Sequence, residues 1–236
     1  MKLIVGNFKM NLLKEDINNY LNVIKDKDFS NVVFCPSNIY LTSFIESNLN
    51  TGSQDIGFME NGAYTGDISA SQLKSIGVKY TLVGHSERRK YYHDSDYVNK
   101  KISSAINNDI IPILCIGETK EERDNNLTNI RLKEEIDKAF NNISNLSNII
   151  IAYEPLWSIG TGLIPTNNEI FETISYIKEY VKSQYNFDVK VLYGGSVNNN
   201  NILELESVNN IDGYLVGGCS LDTNKFLDLI NKINNI

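Results

Sequence analysis

The chain has 236 residues, enough for one α/β barrel or one large doubly wound domain with a sizeable core. Its formal net charge of −7 argues against nucleic acid and anionic membranes as partners, because long-range repulsion opposes both. No run of about 18 apolar residues is present, so no membrane span is expected. Three cysteines without CxxC spacing indicate reduced thiols in a cytoplasmic protein.

Short apolar segments rich in Val, Ile, Leu and Tyr predict eight strands, and several lack the polar alternation of strands with one solvated face. In chain order they are residues 2–7, 31–35, a weak one at 52–56, 79–83, 110–116, 149–153, 189–193 and 211–216. Amphipathic stretches predict helices at residues 15–24, 39–47, 97–106, 130–140, 169–180 and 222–233.

Eight strands that alternate with helices predict an α/β fold of the (β/α)8 barrel type. No Pro- or Gly-rich linker divides the chain, so we expect a single domain over residues 1–236. A doubly wound sheet is the alternative from periodicity alone. The first strand lacks a following GxGxxG motif, which weakens a dinucleotide-binding version of that alternative.

Polar residues collect where the predicted strands end, which is where barrels of this type carry their chemistry. Asn7 ends the first strand, and Lys9 lies just beyond it. His85 and Glu87 follow the fourth strand, and Glu154 follows the sixth. Each residue alone is a weak signal, since a lone histidine or a glutamate before proline is more often structural. Their convergence on one face of one predicted fold favours an active site.

Two glycine turns follow the last two predicted strands, at residues 194–196 and 217–218. Barrels often bind phosphate there through backbone N–H groups, and glycine allows the close approach that this needs. Such a site needs few cationic side chains, which suits an acidic protein that binds an anion.

The segment after Glu154 is apolar, contains the single tryptophan and ends in two glycines. This composition predicts a lid that closes over a ligand and excludes water, with a packed structural loop as the alternative. The predicted lid consists of Pro155, Leu156, Trp157, Ser158, Ile159, Gly160, Thr161 and Gly162.

Seven motifs, in this order along the whole chain, resemble the triosephosphate isomerase family, whose fold is the TIM barrel. They are NFKMN at 7–11, GAYTGD at 62–67, VGHSERR at 83–89, CIGE at 115–118, AYEPLWSIGTG at 152–162, YGGSV at 193–197 and DGYLVGG at 212–218. The histidine motif and the glutamate-plus-lid motif are specific, whereas the glycine motifs alone are not.

The resemblance implies an intramolecular aldose–ketose isomerase of glycolysis and gluconeogenesis that interconverts dihydroxyacetone phosphate and glyceraldehyde 3-phosphate through an enediolate. It makes Glu154 the base, neutral His85 the electrophile and Lys9 a stabiliser of negative charge. Asn7 is expected to hold substrate oxygens and Glu87 to orient the lysine or relay protons. The residues that match substrate-binding positions are Asn7 and Lys9, and those that match phosphate-contacting positions are Gly160, Ser196, Gly217 and Gly218. No metal or organic cofactor is implied.

The resemblance also implies a homodimer, in which the loop at residues 61–67, with Thr65 at its tip, inserts into the partner. Three positions depart from the family pattern, and one of them is Lys190, where an arginine is common just before the seventh strand. Asp55 stands where many members have asparagine, so its charge needs a partner or a raised pKa. Pro165 lacks the N–H that in many members bonds the tyrosine matching Tyr193 when the lid closes, so we expect that latch to be absent.

Two other functions stay open from the sequence. Another phosphosugar barrel enzyme, such as a Schiff-base aldolase that uses Lys9, has the same kind of rim. A non-catalytic phosphate-binding barrel needs only the glycine turns, and it predicts that the base or the electrophile is lost.

Overall fold

The computed structural model describes residues 1–159 and 163–235. Within them, eight strands form one sheet in which every pair is parallel. The strands are β1 (Leu3–Asn7), β2 (Val32–Cys35), β3 (Gly52–Ser53), β4 (Tyr80–Val83), β5 (Ile111–Ile116), β6 (Ile150–Tyr153), β7 (Lys190–Tyr193) and β8 (Gly213–Val216). The sheet order is β2-β1-β8-β7-β6-β5-β4-β3, and a parallel bridge from Phe34 to Thr51 closes the ring. The predicted (β/α)8 barrel is confirmed.

Alternate residues of each strand face either the barrel interior or the surrounding helices, so both faces of the sheet are buried. Val5, for example, packs inside with Leu82, Ile113 and Leu215. Its neighbour Ile4 belongs to the larger core between the sheet and the helices. This double burial is the physical reason that the strand sequences lack polar alternation.

The helices found in the described residues include all six predicted stretches, with ends that differ from the predicted ones by at most five residues. They are α1 (Lys14–Ile24), α2 (Leu41–Glu46), α3 (Ala70–Ser75), α4 (Ser86–Tyr92), α5 (Val98–Asn107), α6 (Lys120–Asp124), α7 (Thr128–Phe140), α8 (Asn167–Tyr185), α9 (Ile202–Leu205) and α10 (Thr223–Asn234). The sequence analysis missed the short helices α3, α4, α6 and α9. No helix in this part of the chain is long and apolar enough to cross a membrane.

The third strand is shorter than predicted, because the chain leaves the sheet after Ser53. The next residue, Gln54, uses its side chain to bond the carbonyl oxygens of Lys9 at 2.8 Å and Cys35 at 3.0 Å. Side-chain bonds therefore replace ladder bonds at this point and tie the end of β3 to the loop after β1.

Candidate active site

Asn7 and Lys9 lie at the carboxyl end of β1. Asn7 is buried, and its Oδ1 accepts a 3.0 Å hydrogen bond from the backbone N–H of Lys9. Lys9 has a φ of 51°, in the left-handed region that side chains with a Cβ rarely adopt. Its carbonyl oxygen accepts hydrogen bonds from Gln54 and from the Ser37 hydroxyl. These bonds hold a strained backbone in place and so fix where the lysine side chain begins.

His85 and Glu87 lie at the start of α4, directly after β4. His85 caps the helix, since its Nδ1 accepts a 3.2 Å hydrogen bond from the backbone N–H of Glu87. Because Nδ1 is the acceptor, a neutral His85 ring carries its proton on Nε2. The Glu87 carboxylate binds the Lys9 ammonium, with 2.8 Å between Oε1 and Nζ. The predicted histidine, glutamate and lysine therefore meet at one helix start.

Glu154 follows β6 and is 3% exposed. Its Oε1 lies 3.2 Å from Nε2 of His85, and its Oε2 accepts a long 3.5 Å hydrogen bond from the Ser86 N–H. Burial raises the pKa of Glu154, opposed chiefly by His85 and the Ser86 N–H. The positive charges of Lys9 and Arg89 also lower it. A buried carboxylate with so few hydrogen bonds is a stronger base than a hydrated one.

A cavity of about 320 Å³ lies beside these groups. Its lining combines the predicted polar strand ends with the predicted glycine turns: Asn7, Lys9, His85, Glu154, Ser196, Gly217 and Gly218. The fold therefore brings together residues that are up to about two hundred positions apart in the chain. Of the phosphate-contacting residues expected from the sequence, Gly160 lies outside the described residues.

The first part of the predicted lid is a 3-10 turn at Leu156–Ser158, and it is anchored to Glu118. The Leu156 N–H donates to the Glu118 carbonyl oxygen at 3.0 Å. Trp157 Nε1 donates to Glu118 Oε1 at 2.9 Å, and the Tyr153 hydroxyl donates to the same oxygen at 3.1 Å. Burial raises the pKa of Glu118, and these side-chain bonds oppose that shift. The sequence analysis had given Glu118 no role in the lid.

Ser158 joins the lid to the glycine turn after β7. The Ser196 N–H donates to Ser158 Oγ, and the Ser196 hydroxyl donates to the Ser158 carbonyl oxygen, both at 3.4 Å. The lid residues Gly160, Thr161 and Gly162 lie outside the described residues.

The Tyr193 hydroxyl is buried and has no hydrogen-bond partner in the part of the chain that the structure describes. Burial raises the pKa of Tyr193 to about 12. The Ser158 hydroxyl is near enough to oppose that shift but does not reach hydrogen-bonding geometry. The absence of a latch at Pro165 stays a prediction. It agrees with a Tyr193 hydroxyl that has no hydrogen-bond partner in the described residues.

Asp55 has both a partner and a raised pKa. The Lys101 ammonium lies 2.8 Å from each of its carboxylate oxygens, and Arg88 approaches Oδ2 to 2.9 Å. Lys101 also binds Asp94 at 2.6 Å. Burial raises the pKa of Asp55, with Lys101 as the main opposing charge. We call Asp55, Arg88, Asp94 and Lys101 the Asp55 cluster.

Residues that the sequence analysis left without a catalytic role pack closely around Glu154. A Cβ on Gly194 would lie 2.9 Å from Glu154 Cγ, and a Cβ on Gly117 would lie 1.8 Å from the Glu154 carbonyl oxygen. The Glu135 carboxylate accepts a hydrogen bond from the Gly117 N–H and lies next to Arg89. One signal for this packing was present in the sequence, because Glu135 is a charged residue on the apolar face of α7 beside Ile136. That pattern does not reveal which distant segment Glu135 contacts.

The fold and the cavity together have the features of a (β/α)8-barrel enzyme for a small phosphorylated substrate. A family model described as triosephosphate isomerase matches residues 2–233. The chain is 40% identical to the triosephosphate isomerases of Alkaliphilus oremlandii, Clostridium botulinum strain Loch Maree and Mycoplasma mobile. Each comparison covers 97% of this chain and 98% of the relative. The chain therefore belongs to the triosephosphate isomerase family, and the predicted assignment to an isomerase is confirmed.

Proposed function

We propose that this chain interconverts dihydroxyacetone phosphate and glyceraldehyde 3-phosphate with Glu154 as the base. The observation that carries the proposal is the buried Glu154 carboxylate, whose Oε1 lies 3.2 Å from His85 Nε2 beside a cavity lined by glycine turns. Glu154 removes a proton from the carbon next to the carbonyl group and returns it to the neighbouring carbon. Its raised pKa supports this role, because proton abstraction needs a basic carboxylate.

His85 supplies the electrophile in this proposal. Its Nδ1 already accepts the Glu87 N–H, so the neutral ring presents an Nε2–H donor toward the cavity. In the structure that donor faces Glu154 Oε1. When substrate binds, the Nε2–H transfers its hydrogen bond to the substrate oxygen, where charge develops as the proton leaves. The carboxylate thereby loses one hydrogen bond and becomes a stronger base.

Lys9 and Asn7 stabilise the negative charge and hold the substrate oxygens. The strained backbone of Lys9 and its 2.8 Å ion pair with Glu87 support this, because both fix the ammonium beside the cavity. Glu87 orients Lys9 and exchanges protons through it. Lys9 and Asn7 line the cavity with His85 and Glu154.

The phosphate group binds at the glycine turns through Ser196, Gly217 and Gly218, together with Gly160 of the lid. Lid closure keeps water away from the enediolate, which otherwise loses phosphate. The contacts between Ser158 and Ser196 support a coupling of the two, because the lid and the phosphate turn already touch.

A Schiff-base aldolase is disfavoured by the same ion pair. Lys9 binds the Glu87 carboxylate as an ammonium, and Schiff-base formation needs a free amine. Borohydride trapping with substrate separates the two reactions, since the isomerase forms no covalent adduct.

The test is a coupled assay that follows conversion of glyceraldehyde 3-phosphate, with Glu154→Asp measured alongside. The shorter carboxylate stands back from the substrate carbon, so kcat should fall by on the order of a hundredfold with a small change in KM. Absence of detectable conversion by the wild-type protein contradicts the proposal.

The proposed assembly is a homodimer of cytoplasmic location. Large apolar side chains are exposed in the loop that carries Thr65 and in the segment after Lys9, namely Tyr64 at 42%, Met10 at 94% and Leu13 at 75%. These support burial against a second copy. Sedimentation equilibrium measures the mass, and Thr65→Glu should shift it toward the monomer. The three unpaired cysteines support the location, which cell fractionation tests.

A further inference from the structure

We propose that Glu135 is a positioning residue for this reaction, because it fixes Glu154 through the backbone of Gly117. The proposal rests on the role of Glu154 proposed above. Glu135 lies on α7, away from the cavity that holds the substrate, and it does not belong to any of the seven sequence motifs.

The Glu135 carboxylate is buried, and both of its oxygens have partners. Its side chain is 5% exposed. Oε2 accepts a 3.0 Å hydrogen bond from the backbone N–H of Gly117. Oε1 lies 2.8 Å from NH2 of Arg131 and 3.6 Å from NH1 of Arg89. With each oxygen engaged on a different side, the carboxylate has one orientation and holds Gly117 at a fixed point.

Gly117 transmits this position directly to the base. The residue before it, Ile116, accepts a 2.7 Å hydrogen bond from the Glu154 N–H. A Cβ on Gly117 would lie only 1.8 Å from the Glu154 carbonyl oxygen, so the two backbones touch with no space for a methyl group. Close-packed atoms transmit displacement. A shift of Gly117 therefore moves the backbone that carries the base.

Arg89 fixes the same region from the side of α4. Its Nε donates to the Gly84 carbonyl oxygen at 2.6 Å, and its NH2 donates to that of Cys115 at 2.9 Å. It thereby links the ends of β4 and β5, and Glu135 balances its charge. Arg89, Glu135 and Glu154 line one cavity of about 550 Å³, distinct from the one that holds the glycine turns.

The glycine turns that bind phosphate do not depend on Glu135. They follow β7 and β8, and no hydrogen bond or ion pair of Glu135 reaches them in the described residues. Loss of Glu135 should therefore move the base and leave the phosphate site in place. This predicts a fall in kcat without a matching rise in KM.

The experiment compares three variants in the isomerase assay. Glu135→Leu removes the acceptor, Glu135→Gln keeps one oxygen for the Gly117 N–H, and Glu134→Leu changes the exposed neighbour on the same helix as a matched control. We expect Glu135→Leu to lower kcat by about tenfold to a hundredfold. Its KM and its inhibition constant for phosphoglycolate should stay within about twofold. Glu135→Gln should recover kcat to within about threefold of wild type. The control Glu134→Leu should have the same kcat as wild type.

Circular dichroism and thermal unfolding establish that each variant is folded. A folded Glu135→Leu protein with wild-type kcat overturns the proposal. So does a Glu135→Gln protein as impaired as Glu135→Leu, because the charge and not the hydrogen bond is then responsible. Where Glu135→Leu does not fold, the double variant Arg131→Leu/Glu135→Leu, which also removes the charge partner, is measured in the same way.

Glu154→Asp, assayed in parallel, separates the two possible failures. If Glu154→Asp keeps full kcat, the proposed base is wrong. If Glu154→Asp is impaired while Glu135→Leu is not, the base is correct and only the positioning role fails.

Discussion

The position of the Glu154 side chain can be tested without a change to Glu154 itself, by Gly194→Ala. A Cβ at Gly194 would lie 2.9 Å from Glu154 Cγ, 3.4 Å from the Tyr153 carbonyl oxygen and 3.5 Å from Leu215 Cβ. Only the first of these distances is shorter than ordinary van der Waals contact. Gly194 is not among the glycines with positive φ, so alanine adds no backbone strain.

The size of the effect follows from the length of that contact. To restore ordinary contact, the Glu154 side chain must move by about 0.5 Å. Because a misplacement of about 1 Å at a catalytic group costs on the order of a hundredfold in rate, this shift should lower kcat roughly tenfold. That loss corresponds to about 1.4 kcal/mol in the activation barrier. KM should change little, since the hydrogen bond from the Gly194 N–H to Tyr153 remains.

The assay is steady-state isomerisation in both directions, with thermal unfolding as the check on the fold and Glu154→Asp as the benchmark. Wild-type kcat in a folded Gly194→Ala protein refutes the reasoning, because the base then tolerates displacement. A large rise in KM with unchanged kcat also refutes it, since that result locates the effect in the phosphate turn.

Three further predictions concern the lid and the Asp55 cluster. Tyr193→Phe should keep kcat within about threefold, because Pro165 offers no N–H for the tyrosine hydroxyl, and a loss of about tenfold or more in the isomerase assay contradicts the missing latch. Phosphoglycolate should change the fluorescence of Trp157, the only tryptophan, because lid closure alters its hydrogen bond to Glu118. Chloride at equal ionic strength is the control. An unchanged spectrum at saturating phosphoglycolate argues against the lid. Burial raises the pKa of Asp55, so the wild-type protein loses stability as pH rises through that pKa, whereas an asparagine does not. The melting temperature of Asp55→Asn relative to wild type should therefore increase between about pH 4 and pH 7, and a constant difference contradicts the burial effect.

The sequence predicted the barrel because the signal for buried parallel strands is local. Runs such as residues 110–116 and 149–153 are apolar on both faces, and each is a strand in the structure. The charged helices α4 and α6 gave no apolar period and were missed, although Thr119 and Glu122 form a capping box at the start of α6. Short helices whose outer faces are solvated contain too few apolar residues to show a helical periodicity in the sequence.

The meeting of the candidate site residues at one cavity was also predictable, because they directly follow strands, and strand ends converge in a barrel. The packing around the base was not, since it depends on distances between segments that the sequence does not relate. Nothing local distinguishes Gly117 or Gly194 from ordinary turn glycines, yet one contacts the Glu154 backbone and the other its side chain. A carboxylate on the inner face of α7 indicates a buried partner, but only the folded chain identifies it as the Gly117 N–H.

The electrostatic surroundings of Glu154 bear on how an acidic chain would support the proposed carboxylate base next to the proposed phosphate site. Burial alone favours the protonated, inactive carboxyl, and a bound phosphate adds a second negative charge that pushes in the same direction. Lys9 and Arg89 oppose both effects from different elements, the loop after β1 and helix α4. Arg89 is held near Glu154 by its hydrogen bonds to the carbonyl oxygens of Gly84 and Cys115. The protonation state of Glu154 is therefore set by cations on two different elements, whereas its position depends on the close packing of the backbone at Gly117.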